Sequence, residues 1–232
     1  MTTLEGAVVL VTGGNRGIGK ALVDDLLTRG VKKIYATARK PVPSTDDRVV
    51  TLPLEITDQA SIDALVAAAP DVTVLINNAG GSSPETYLDV PMAAIREVFD
   101  INFFGPLNLT RAFVPVIERN GGGHLLNAHS ALSWVARHGA YSATKAAFWL
   151  QTNALRLELR DRGIGVTGLH MGYVDTDMVT AVSAPKENPA DIAKAALDGI
   201  ETGAYEVLAD DTARWAKAAM AGELTAVYPE LS

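Results

Sequence analysis

Residues 7–30 read AVVLVTGGNRGIGKALVDDLLTRG. The run AVVLVT at 7–12 is apolar and rich in valine, the composition of a strand buried on both faces. Four glycines follow within seven residues (Gly13, Gly14, Gly17 and Gly19), and a helix is expected from about Gly17 to Arg29. The alternation continues along the chain. Further strands are predicted at 33–37, 48–53, 72–78, 124–129, 165–171 and 204–210. Helices are predicted at 61–69, 92–119, 141–160 and about 189–201, with one more at the end. Continuously apolar strands alternating with helices imply a parallel sheet covered on both sides. The stretch RKPVPSTDDR at 39–48 reads as a surface loop, and no repeat or linker divides the chain. The expected architecture is therefore a single α/β domain over residues 1–232, a Rossmann-like doubly wound parallel sheet of about seven strands.

In such a sheet, ligands bind at the carboxyl ends of the strands near the reversal of strand order. A strand that runs through TGGNRGIG into a helix lets the backbone approach a pyrophosphate, and the helix supplies N–H groups and a partial positive charge. The same residues come close to a nucleotide-triphosphate loop, with Gly14, Gly19 and Lys20 in register. Ala21 stands where that loop needs the hydroxyl that holds magnesium, and no acidic residue closes the strand VLINN. Dinucleotide binding is the better reading.

Composition narrows the field further. The chain has 232 residues, 48% of them hydrophobic and 20% charged, with a net charge of -7 and no cysteine. The negative balance argues against nucleic acid or an anionic membrane as partner. The absence of cysteine removes disulfides and thiolate zinc sites. No apolar run nears the ~18 residues of a membrane span. The opening MTTLEGAVVLVTGG has no basic stretch, so no secretion signal is expected and the cytoplasm is the expected location. His124, His129, His138 and His170 show no zinc spacing, so no metal is expected, and no G-x-S-x-G elbow suggests a serine hydrolase.

Five motifs in order carry a resemblance. TGGNRGIG, NNAG at 77–80, Asn102 within DINFFG, Ser130, and YSATK at 141–145 together resemble the short-chain dehydrogenase/reductase family in its shorter single-domain form. The resemblance implies that Asn102, Ser130, Tyr141 and Lys145 are catalytic. It also implies that Gly13, Asn15, Arg16, Gly17, Ile18, Gly19, Asn78, Ala79 and Gly80 hold the dinucleotide, together with Tyr141 and Lys145. Glu55 stands where the family usually has an aspartate near the adenine, and Met171 replaces the family's proline in HMGYVDTDM. Thr176 is then implied to hold the carboxamide, with backbone contacts from Gly172 and Val174. Ser130 is implied to bond the substrate oxygen, and Asn102 to hold a water in a proton relay from a distortion in the long helix. The segment from Ser130 to Tyr141 is slightly shorter than is usual in the family.

The physics of the Tyr141–Lys145 pair fits that role. Four residues nearly complete a helical turn, so the two side chains share a face. A tyrosine titrates near 10, and bringing it to about 7 takes roughly 4 kcal/mol at ~1.36 kcal/mol per unit. Lys145 and an oxidised nicotinamide ring are expected to supply that, leaving Tyr141 to give or take the proton. The implied activity is that of a carbonyl reductase or alcohol dehydrogenase. A catalytically silent dinucleotide sensor or scaffold is the alternative, and four intact catalytic residues count against it. An extended sugar-nucleotide epimerase would need more than the chain beyond Thr176.

Charge selects the cofactor. The position at the end of the second strand that is acidic in NAD enzymes is Ala38, followed by Arg39. With Arg16 in the glycine-rich turn, this predicts NADP(H) over NAD(H). Trp134, Val135, His138 and Tyr173 fall on loops expected around a small-molecule carbonyl or alcohol substrate. The helix from Tyr141 to Arg160 is apolar around most of its circumference, and the stretch from Phe99 to Val116 carries a similar excess. These two helices are expected to be shared between subunits in a homodimer or homotetramer.

Overall fold

The computed structural model describes residues 2–82 and 86–232. Among them, seven strands form one wholly parallel sheet. In chain order these are β1 (Val8–Thr12), β2 (Lys33–Ala38), β3 (Val49–Pro53), β4 (Val74–Asn77), β5 (Gly123–Ala128), β6 (Ile164–His170) and β7 (Glu206–Leu208). Their spatial order is β3-β2-β1-β4-β5-β6-β7. The order reverses between β1 and β4, which opens a crevice at their carboxyl ends.

Successive strand residues point to opposite faces and fill two cores. On one face Val9, Val11, Val74 and Ile76 pack with Leu22 and Leu26 of α1 (Gly17–Thr28). Ile192 and Leu197 of a later helix, Pro189–Thr202, complete that core. On the other face Val8, Leu10 and Leu75 meet Ile62 and Leu65 of α2 (Gln59–Ala68).

The long helix expected over 92–119 is three pieces. α3 (Met92–Phe99) runs into a π-helical turn at Asp100–Phe104, and α4 (Gly105–Arg119) follows. The wide turn swings Asn102 inward, where it is 1% exposed. Phe113 and Ile117 of α4 fill the second core. α5 (Gly139–Glu158) starts two residues earlier than its sequence pattern suggested; α6 is Pro189–Thr202. The helix expected at the end is α7 (Asp211–Ala219), and the short α8 (Leu224–Val227) follows it. The last strand is also shorter than expected, three residues at the sheet's edge.

A run of buried amides and hydroxyls crosses the second face. Asn77 Nδ2 donates to Thr110 Oγ1 at 3.1 Å and to Asn127 Oδ1 at 2.8 Å. Asn127 Nδ2 donates to Thr152 Oγ1 at 2.8 Å, and that hydroxyl donates to Phe148 O at 2.9 Å. Strands β4 and β5 are thereby bonded to α4 and α5 by groups that would otherwise be costly to bury.

Candidate active site

The crevice is lined first by the glycine-rich turn. Thr12 Oγ1 ends β1 and accepts from the backbone N–H groups of Asn78 and Ala79 at 2.9 Å each. Asn78 Nδ2 returns a bond to Thr12 O at 2.9 Å, so its side chain ties β4 to β1. Gly13 and Gly17 have φ of +69° and +53°, a region open to glycine at little cost. A Cβ on Gly19 would lie 2.1 Å from Gly13 O, and one on Gly14 would lie 2.9 Å from the Ala36 Cβ. No side chain caps α1 at Arg16, which leaves its first N–H groups for an anion. The donor set and the missing Cβ atoms fit a pyrophosphate.

The neighbours of the turn occupy defined places. Ile18 packs on the first core. Asn15 Nδ2 donates to Lys40 O at 2.7 Å, and its Oδ1 accepts from Val42 N, which holds the loop after β2 beside the turn. Arg39 is exposed on that loop, directly after Ala38 at the end of β2. Arg16 Nη1 makes an ion pair with Asp177 Oδ2 at 2.8 Å. Glu55 bonds the N–H and hydroxyl of Thr57 in its own turn.

Across the crevice stand Ser130, Tyr141, Lys145 and Asn102. Ser130 lies two residues after the end of β5, and its Oγ accepts from Leu132 N at 3.1 Å. Tyr141 sits in the first turn of α5 and shares a hydrogen bond with Ser130. Burial pushes its hydroxyl up to about 12, while the Ser130 bond lowers it and Tyr173 raises it. Lys145 Nζ donates to Ala128 O at 2.8 Å and lies 5.7 Å from the centre of the Tyr141 ring. Burial brings this ammonium down to about 8. Burial outweighs the Ser130 hydrogen bond, so the phenol is protonated at neutral pH.

Asn102 closes the group. Its Oδ1 accepts from Gly81 N at 2.8 Å, and its Nδ2 donates to Gly81 O at 2.9 Å and Thr144 Oγ1 at 3.1 Å. Thr144 Oγ1 in turn donates to Tyr141 O at 2.7 Å. A Cβ on Gly80 would lie 3.3 Å from Asn102 Oδ1 and 3.9 Å from Lys145 Nζ, so Gly80 faces both. The NNAG segment, the π-helical turn and the head of α5 therefore converge.

The loop after β6 forms the third wall. Gly172 N donates to Asp210 Oδ2 at 2.6 Å, and Val174 bridges to Glu187. Thr176 presses on the turn: a Cβ on Gly17 would lie 2.9 Å from its Cγ2. His138 Nε2 and the Tyr173 hydroxyl are 2.9 Å apart, which joins the head of α5 to this loop. Trp134 is not with them. Its ring lies flat on the buried His170, 4.1 Å between centroids and 16° between planes, and packs edge-on to Trp149. Buried Val135 likewise belongs to a small core with Ala131, Ala216 and Val227.

Three participants escaped the sequence reading. Thr144 needed only its place inside YSATK, and Asp210 its position before α7, where it caps Ala213 N at 2.7 Å. Asp177 offered no sequence signal, since its partner lies 161 residues away. Among the described residues no cluster of three or more His, Cys, Asp or Glu could hold a metal. Nor, among them, is any helix long and apolar enough to cross a membrane.

The model of the short chain dehydrogenase family matches residues 7–187. The chain belongs to that family. Among its relatives this short-chain dehydrogenase is 32% identical over 230 residues to the ketoacyl reductase HetN of Nostoc sp., covering 90% of this chain and 80% of that one. It is 31% identical to an uncharacterised oxidoreductase of Staphylococcus haemolyticus, over 92% and 99% of the two chains. Among solved structures, a Burkholderia cenocepacia short chain dehydrogenase in complex with NADP superposes with a TM-score of 0.92 at 34% identity, covering 99% of this chain and 98% of that one. A short-chain dehydrogenase from Streptomyces avermitilis superposes at 0.82 with 26% identity, covering 98% and 96%.

Proposed function

We propose that this oxidoreductase transfers hydride between NADP(H) and a ketone or aldehyde, or the matching secondary alcohol, with Tyr141 as the acid and base. The observation that carries this reading is the hydroxyl pair of Ser130 and Tyr141 with the Lys145 ammonium buried beside it. Bound nicotinamide supplies or accepts the hydride. A protonated Tyr141 is suited to donate its proton to a carbonyl oxygen, while Ser130 bonds the same oxygen. The phenolate left behind faces the Lys145 ammonium, which is charged at neutral pH with a value of about 8. Asn102 and Thr144 hold the Tyr141 turn against Gly81, the residue after the NNAG segment.

Several observations support NADP(H) over NAD(H). Ala38 leaves the end of β2 without a carboxylate, and Arg16 and Arg39 are both exposed. The Burkholderia cenocepacia relative was solved with NADP. A ketone substrate agrees with the name of the Nostoc ketoacyl reductase. His138 and Tyr173 are the side chains proposed to meet the substrate, in a cytoplasmic enzyme. We also propose pairing of subunits through the stretch Phe99–Val116, which spans the π-helical turn and the first part of α4, and through α5, because Phe104, Leu150 and Leu157 are 48%, 62% and 72% exposed. Phe113, by contrast, belongs to the core.

The test is NADPH consumption across a panel of aldehydes and ketones, run beside calorimetric binding of NADPH. Turnover of at least some carbonyls supports the enzyme. Tight NADPH binding with no turnover across a broad panel would favour a sensor or scaffold.

A further inference from the structure

Arg16 is the residue of the glycine-rich turn best suited to meet a 2′-phosphate, yet in this structure its guanidinium already holds a carboxylate. Arg16 Nη1 is 2.8 Å from Asp177 Oδ2, and the two side chains are 73% and 68% exposed. The contact is not isolated. Thr176, the preceding residue, rests on Gly17, so the loop after β6 and the glycine-rich turn touch at two successive residues of each. Asp177 opens a short 3-10 turn at Asp177–Val179, which fixes its backbone beside Arg16.

We infer that Asp177 is a specificity-determining residue for the dinucleotide: its carboxylate competes with a 2′-phosphate for the Arg16 guanidinium. This inference rests on the NADP(H) reading above. A guanidinium bonds carboxylate and phosphate through the same N–H donors, and here Asp177 Oδ2 takes one of them. A phosphate with its greater charge displaces an exposed carboxylate, because an exposed ion pair is a weak one. NAD(H) carries a hydroxyl at that position and leaves the pair in place. Asp177 therefore weakens NADP(H) selectively, both by occupying Arg16 and by placing a negative charge beside the incoming phosphate.

Asp177→Asn and Asp177→Ala remove the charge, and the second also removes any residual hydrogen bond to Arg16. Titration calorimetry of NADPH and NADH on the whole protein is the readout. The expected result is NADPH bound about two- to fivefold more tightly by both variants, the size of an exposed ion pair, with NADH unchanged. In an Arg16→Ala background most of that gain disappears. An equal gain for NADH, no gain for NADPH, or a gain of the same size without Arg16 would overturn the inference. The two readings separate in the single Arg16→Ala and Arg39→Ala variants. If neither moves the ratio of NADPH to NADH affinity, the cofactor reading falls and takes the inference with it. If Arg16→Ala collapses the ratio while the Asp177 variants bind NADPH like the parent, only the inference falls.

Discussion

Lowering the pH from about 7 to about 5 is expected to destabilise this protein well before its carboxylates titrate. His124 and His170 are 2% and 0% exposed, and burial lowers them from 6.5 to about 4 and about 3. His129, 2% exposed between Phe148 and His170, is pushed well below 6.5 by the same cause. All three are therefore neutral in the folded chain, whereas the unfolded chain protonates them below about 6.5. Their contribution is complete above that value and is lost as the pH falls toward the folded values. At about pH 5, linkage gives a loss of about 2 kcal/mol each for His124 and His170, and thus about 4 kcal/mol for the pair. That is a large share of the ~5–15 kcal/mol that holds a domain together. Asp71, which burial raises but its bonds to Lys33 and Tyr35 lower by more, and Asp198, held by Lys194 and Arg29, both lie below 3.8, so their losses come at lower pH. Urea midpoints at the two pH values, at one protein concentration, measure the effect. His124→Gln, which keeps a donor toward Thr167 Oγ1 but cannot take a proton, is expected to remove about half of the two-histidine loss. Equal stability at both pH values, or an unchanged loss in that variant, would refute the reasoning.

Tyr141→Phe is expected to abolish turnover while NADPH binding by calorimetry stays near that of the parent; comparable activity would end the acid–base assignment. Gly19→Ala drives a Cβ into Gly13 O at 2.1 Å, so a loss of about 1–3 kcal/mol and at least about tenfold weaker dinucleotide binding are expected; urea unfolding and calorimetry check both. Ala38→Asp combined with Arg39→Ser is expected to shift the kcat/KM ratio from NADPH toward NADH, and an unmoved ratio would make Arg39 an ordinary surface residue. Sedimentation at micromolar concentration is expected to give a dimer or tetramer, against a monomer mass of 24.5 kDa.

What the sequence revealed was what short-range rules govern. β1, the glycine-rich turn and α1 were readable together because strand period, glycine spacing and helix start agree over 24 consecutive residues, 7 to 30. Tyr141 and Lys145 fell on one helical face for the same reason. The family resemblance located a distortion near Asn102, but the helix pattern ran unbroken through it, since one wide turn scarcely alters apolar spacing. The stacking of Trp134 on His170 was beyond reach, because a loop aromatic carries no period and either side of the loop could bury it. The last strand is shorter than its sequence suggests for a related reason. Ala204–Asp210 has the composition of a strand, but only the three residues that pair with β6 form one.

The buried amides between the sheet and the helices bear on what can be altered in this enzyme. Thr152 is fixed to β5 through Asn127, so α5 cannot slide along its axis without breaking that bond, and Tyr141 and Lys145 ride on the same helix. Tyr141 and Lys145 are thus anchored from the interior three and two turns away along the helix, in addition to the nearer bonds of Thr144 to Tyr141 O and of Lys145 to Ala128 O. The loop after β6 meets the head of α5 through the His138–Tyr173 contact. On the role proposed above for Tyr141, loop exchange is a route to new substrates that leaves the proposed acid in place on its helix.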